Sequence, residues 1–259
     1  NRIGIGYFRP LVAAALTPDA NTTPEERIEF FRAVERFIFL SFRMAASQSS
    51  YQSSEYYRKT RDVYTGKLFL SEVTASLITT ATNDMDNSIN SFITRTDRRF
   101  SNGGGFYDWR DLRYLLFEYE YKKAEETGIE KLGWTPFTKV EKDKVSIEHI
   151  LPQTPTKWYW RNHFRQYTED EIKILSGSLG NLLPLSQSVN SALQNDGFIE
   201  KKSSKNIGRR GYEDGSHSEI EVSRQTDWDA QRILKRGIKL LKFIENRWNI
   251  QFKDEAQMI

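Results

Sequence analysis

The stretch Val145-Ser-Ile-Glu-His-Ile-Leu151, running straight into Pro152, constrains this chain more than any other. Its apolar residues alternate enough for a strand, and a proline cannot donate to a sheet ladder, so the strand ends at or before Pro152. Glu148 and His149 therefore arrive together at the end of a hydrophobic run. Neighbours in a regular strand point to opposite faces, so both reach one site only if the strand distorts or stops there. Three further segments belong with this one: Leu179-Gly-Asn-Leu182, Asn190 nine positions after Asn181, and Phe198-Ile-Glu-Lys-Lys202.

The rest of the chain reads as mainly helical. Thr23-Pro24-Glu25-Glu26 combines a capping residue, a proline at the first helical position and a capping-box glutamate. Ile28, Phe31, Val34, Ile38 and Phe42 follow at helical spacing. Helices are expected near 53–64, 69–82 and 85–98, then a flexible loop at Ser101-Asn-Gly-Gly-Gly105. No Lys-Ser/Thr follows those glycines, which argues against a phosphate cradle. A further helix is expected from Asp108 to near Gly128, and Gly133-Trp-Thr-Pro136 reads as a joint. The expected division is a helical region over 1–135 and a site-bearing domain over 136–259. Thr168-Glu-Asp-Glu171 is a second capping box, Leu182–Leu185 a short strand, and Asn190 sits on the helix after it. A last helix is expected over Trp228–Trp248, with Ile233, Leu240, Leu241, Ile244 and Trp248 on one face. Arg232, Lys235, Arg236, Lys239 and Lys242 fall on the other, read as a solvated face ahead of a DNA-facing one.

Composition narrows the classes. Charged residues at 28% and aromatics at 13% suit a folded protein. A net charge of +3 is too small to hold nucleic acid globally, so such a partner has to be met by local clusters. Lys201, Lys202, Lys205, Arg209 and Arg210 form one, with Glu200 alone opposing them. The absence of cysteine excludes disulfides and thiolate metal sites. No apolar run approaches membrane-spanning length, so no membrane partner is expected. The chain opens on Asn1, which reads as a fragment of a longer protein with a partner domain before it.

These residue types suit hydrolysis of a phosphodiester. A neutral imidazole is a suitable base near neutral pH, which assigns that role to His149. A hard divalent cation, Mg²⁺ with Mn²⁺ as the alternative, takes few protein oxygens, and Glu148 and Asn190 offer them. Asn181 can orient the imidazole or hold the backbone turn. Bland readings stand beside these: Glu148-His149 as a core pair, Asn181 as a turn residue, and Asn195 in place of Asn190. Trp158, Tyr159 and Trp160 read as core before base-stacking platforms, and His163 and His217 as ordinary histidines.

Ile147-Glu-His-Ile-Leu-Pro-Gln153, Leu179-Gly-Asn-Leu-Leu183, Asn190 and Phe198…Lys201-Lys202 together resemble the C-terminal domain of GmrSD-type modification-dependent restriction endonucleases. Leu112-Arg-Tyr-Leu-Leu-Phe-Glu118 resembles a helix that precedes the motif in that family, so the likeness covers about 108–248. The resemblance implies a ββα-metal (HNH, His-Me finger) nuclease core embedded in helices, an α+β arrangement. It further implies His149 as general base, Glu148 and Asn190 as metal ligands, Asn181 as the orienting residue, and Lys201 or Lys202 at the scissile phosphate. A nucleotide-dependent sensor domain outside this chain, duplex DNA from phage or other foreign sources as substrate, and a prokaryotic cytoplasmic setting are implied with them. Glu-His…Asn…Asn departs from the name-giving motif by keeping a single histidine. The competing readings are an inactivated HNH fold that binds DNA or protein without cutting, and a nuclease acting on RNA.

Overall fold

In the computed structural model, which describes residues 2–17, 22–138, 144–203 and 210–253, Thr23 starts a helix as its sequence dictates. Its Oγ1 accepts from the Glu26 N–H at 3.1 Å, and the Glu26 carboxylate accepts from the Thr23 N–H at 2.8 Å. Helix α1 (Phe8–Ala15) precedes this α2 (Pro24–Ile38), which passes into a π-helical turn over Phe39–Met44. Helices α3 (Ser53–Tyr64), α4 (Leu70–Asn83) and α5 (Met85–Ser101) follow, close to the expected bounds. The buried face of α2 is Phe30, Ala33, Val34, Phe37 and Ile38, whereas Ile28 is exposed. Phe8, Phe37 and Tyr56 meet ring to ring and join α1, α2 and α3.

The chain gathers into two compact units, Asn1–Thr94 and Arg95–Ile259. The division expected at 135/136 thus differs from the packing: α6 (Leu112–Thr127) belongs with the motif-bearing residues. Its buried carboxylates explain why. Glu120 accepts from the N–H groups of His217 and Ser218 and from the Ser218 hydroxyl, capping α12 (His217–Ser223). Glu118 pairs with Arg247 on α13 (Ala230–Trp248) at 3.1 Å. Helix α6 opens at Leu112 and not at the expected Asp108, which instead ends a short 3-10 turn, Gly105–Asp108. The end of the glycine run is packed, whereas Ser101, Asn102 and Gly103 are exposed. A Cβ on Gly105 would stand 2.6 Å from the Gly177 carbonyl oxygen, and its φ of +55° favours glycine as well.

The remaining elements are α7 (Thr135–Thr138), β1 (Val145–His149), α8 (Trp158–His163), α9 (Glu169–Gly177), β2 (Leu182–Ser186), α10 (Gln187–Leu193) and α11 (Phe198–Lys202). The second unit is mostly helical, with one antiparallel pair of strands among the described residues. Its register sets His149 opposite Leu182 and Glu148 opposite Leu183. Leu183 and Leu185 enter a core with Trp160, Phe198, Tyr212, Trp228 and Ile233. No helix of the described residues is long and apolar enough to cross a membrane.

Helix α13 lies against the Leu179–Asn181 turn. The approach is so close that a Cβ on Gly180 would sit 1.9 Å from the Ile233 carbonyl oxygen and 2.6 Å from the Gly237 nitrogen. Its expected apolar residues are buried, but Arg236 is buried with them rather than on the solvated face. Arg236 follows Ile233 by three and precedes Leu240 by four, so it borders the apolar stripe and is drawn inward. Gly180→Ala is expected to lower stability by roughly 2–3 kcal/mol, since two backbones have to separate. Chemical denaturation measures it, and a loss within error of zero refutes the contact.

Candidate active site

The end of β1 is held by one side chain. Asn181 is completely buried, and its amide meets the peptide of Leu151 from both sides. Oδ1 accepts from the Leu151 N–H at 2.7 Å, and Nδ2 donates to the Leu151 carbonyl at 2.9 Å. Nδ2 also donates to Ser176 O, Oδ1 also accepts from Trp228 Nε1, and the Asn181 carbonyl accepts from the Ile150 N–H. The amide thereby replaces the ladder that β1 loses after His149. Asn181 acts on the backbone next to the imidazole, and none of these bonds reaches the ring.

Glu148 and His149 diverge, as strand geometry requires. The Glu148 carboxylate is buried, accepting from Lys201 Nζ at 2.6 Å and from the Tyr212 hydroxyl at 3.1 Å. Lys201 is fully buried as well and donates further to the carbonyls of His149 and Ile150, at 3.2 and 3.1 Å. Burial pushes the Glu148 carboxyl upward while Lys201 pulls it back; burial likewise lowers the Lys201 ammonium. The three donors of Lys201 are spent inside the core, so its expected place at a phosphate is corrected: it is a structural counter-ion.

His149 is partly buried, and its ring lies against Tyr107 at a centroid distance of 4.5 Å. Burial, and secondarily the charge of Lys201, lower its pKa from 6.5 to about 4. The imidazole is therefore neutral at pH 7. Its Nε2 is buried and has no hydrogen-bond partner among the described residues. Leaving such a nitrogen unpaired costs about 1–3 kcal/mol, a cost that an incoming polar group would relieve.

Asn190 comes to the same strand, its Nδ2 donating to Ser146 Oγ at 2.8 Å and to Ile147 O at 3.4 Å. Oδ1 takes part in neither bond. Lys202 donates to the Gln225 carbonyl, Arg210 pairs with Glu219, and Lys205 and Arg209 lie outside the described residues. Trp160 is core, Tyr159 is half-buried, and Trp158 is 76% exposed. His163 and His217 bond to nearby carbonyls.

The donor set does not fit a divalent ion shared by Glu148 and Asn190. Glu148 is already neutralised by an ammonium that would repel a second cation, and no cluster of three His, Cys, Asp or Glu forms among the described residues. Tyr107 and Tyr212 were missed by sequence reasoning. Tyr107 carries one retrievable signal, its place two positions after three glycines; Tyr212 carries none, since only folding brings it to Glu148.

Residues 94–243 match the family described as GmrSD restriction endonucleases, C-terminal domain. No curated protein and no solved structure gives a significant match.

Two outcomes follow from the geometry. Lys201→Met is expected to destabilise by about 3–5 kcal/mol, with Lys201→Met/Glu148→Gln recovering part of it in denaturation curves, because the single change strands a buried charge. A double variant no better than the single one rejects the pairing. In NMR titrations His149 is expected near 4, with Tyr107→Ala moving it up toward 6.5 by easing desolvation. The unfolded chain takes this proton near 6.5 and the folded chain only near 4, so stability falls as pH drops through that window. A wild-type ring titrating normally contradicts the placement.

Proposed function

Because the chain belongs to the family of GmrSD restriction endonuclease C-terminal domains, we propose that its second unit hydrolyses phosphodiesters in DNA with His149 as general base. The observation that carries this reading is the neutral Nε2 of His149, without a hydrogen-bond partner among the described residues, at the end of a clamped strand. A neutral imidazole takes a proton from water as the water oxygen bonds to phosphorus and the P–O bond to the 3′ oxygen breaks. Asn181 fixes the backbone from which the ring projects, so it is a positioning residue. A ββα core is part of the proposal: β1 pairs with β2 across the intervening α8 and α9, and Asn190 on α10, the helix after β2, returns to β1.

Metal dependence, with Mg²⁺ or Mn²⁺ as the ion, is proposed from family membership alone, and no ligand set is assigned to it. Since Glu148 is held by Lys201, no step is assigned to the metal. Action on foreign or phage DNA, in concert with a nucleotide-dependent sensor domain outside this chain, is proposed from family membership. The burial of Nε2 and the engagement of Glu148 favour one competing reading, an HNH-like module that binds without cutting.

Plasmid nicking in Mg²⁺, Mn²⁺ and EDTA separates the two. Wild type is expected to nick with a divalent ion, and His149→Ala to lose at least about a hundredfold in rate. Equal cutting by both proteins, or none under any metal, rejects the general-base assignment. Single-stranded RNA in parallel tests the other nuclease class.

A further inference from the structure

A guanidinium buried in a protein normally faces a carboxylate, because an uncompensated charge is costly away from water. Arg210 faces Glu219, Arg247 faces Glu118, and Arg232 faces Asp227 and Asp229. Arg236 does not. It is 6% exposed, and Nη1 donates to the carbonyls of Gly180 and Leu182 at 2.7 and 2.8 Å. Its Nε and Nη2 have no partner among the described residues. Glu221 acts on it through space without a hydrogen bond and is itself engaged by Lys123, Lys239 and the Tyr119 hydroxyl.

Arg236 also lines a cleft of about 130 Å³ between α12 and α13, bounded by Glu221, Trp228, Arg232, Lys235 and Lys239. Four of these lining side chains, Arg232, Lys235, Arg236 and Lys239, are cationic and one, Glu221, is anionic. We infer that this cleft is an anion site for a phosphate group, with Arg236 as its floor and Lys235 and Lys239 at its rim. Arg236 supplies planar, charge-assisted donors and Lys235 a point charge, while Lys239, which pairs with Glu221 at 2.8 Å, exchanges that carboxylate for the incoming oxygens. The shared chemistry is a phosphate oxyanion, arriving either as a backbone phosphate of DNA or as a free phosphate compound. The site lies behind the Gly180-Asn181-Leu182 turn, since Arg236 holds the carbonyls on either side of Asn181. It is distinct from the His149 site and stands whether or not the chain cuts DNA.

Isothermal titration of the full chain with inorganic phosphate, against chloride at matched ionic strength, tests the inference. Wild type is expected to bind phosphate saturably, and Lys235→Gln/Lys239→Gln to bind about tenfold more weakly or worse. Arg236→Met is expected to abolish binding; should that variant fail to fold, the rim double variant decides. A short DNA duplex, titrated into phosphate-loaded His149→Ala, identifies the source. Displacement of phosphate supports the site with a DNA phosphate as its occupant, and retention supports it with a free phosphate compound. Absence of saturable binding in wild type, or unchanged binding in the rim variant, overturns the inference. A chain that binds phosphate but never nicks plasmid leaves this site in place and removes the nuclease reading instead.

Discussion

The side-chain amide of Asn181 closes on the peptide of Leu151, donor to acceptor and acceptor to donor, and the second unit is arranged around that closure. A buried peptide with no ladder partner is costly, and β1 reaches that condition as soon as it passes His149. The amide supplies both missing bonds, so the strand can end in the core and point its last side chain away from it. Everything nearby supports the turn that bears Asn181. Gly180 lets α13 approach without a Cβ in the way, Arg236 takes the carbonyls on both sides, and Trp228 donates to the same Oδ1.

Buried charge is the second organising theme. Carboxylates inside this unit are used mainly as fasteners: Glu118 to Arg247, Glu120 to the start of α12, Glu219 to Arg210, and Glu148 to Lys201 and Tyr212. A pair such as Glu148 and Lys201 adds little net stability, but neither partner tolerates losing the other. The same accounting isolates His149 and Arg236. Each is largely shielded from water, and among the described residues each keeps at least one nitrogen without a partner, as does Arg232 at Nε. His149 and Arg236 are the more deeply buried of these, and there an outside group has something to contribute.

Much of this was legible along the chain. Thr23 and Thr168 stand at helix starts, and the 3.6-residue period of α13 selected Ile233, Leu240, Leu241, Ile244 and Trp248 as core. His149, Asn181 and Asn190 were singled out by type and spacing, and all three converge on β1 and the residues after it. The partner of Glu148 was not legible. Lys201 read as part of a basic cluster for phosphate, while its burial depends on how α11 seats over a strand 53 residues earlier. Gly105 read as slack for a similar reason, because the Gly177 backbone that fills its space lies far along the chain.

Local patterning alone determined that Glu148 and His149 must part, since a strand alternates its faces and Pro152 forbids the ladder beyond. It also determined that an oxygen-bearing Asn would sit on a helix just past the second strand. Tertiary structure decided what each face meets. Glu148 found an ammonium in the core, His149 found Tyr107 and, among the described residues, no hydrogen-bond partner for Nε2, and Arg236 was drawn beneath the Gly-Asn-Leu turn. The reason is physical. Alternation and capping are properties of neighbouring residues, whereas the pairing of a buried charge is settled only by which distant segment fills the space beside it.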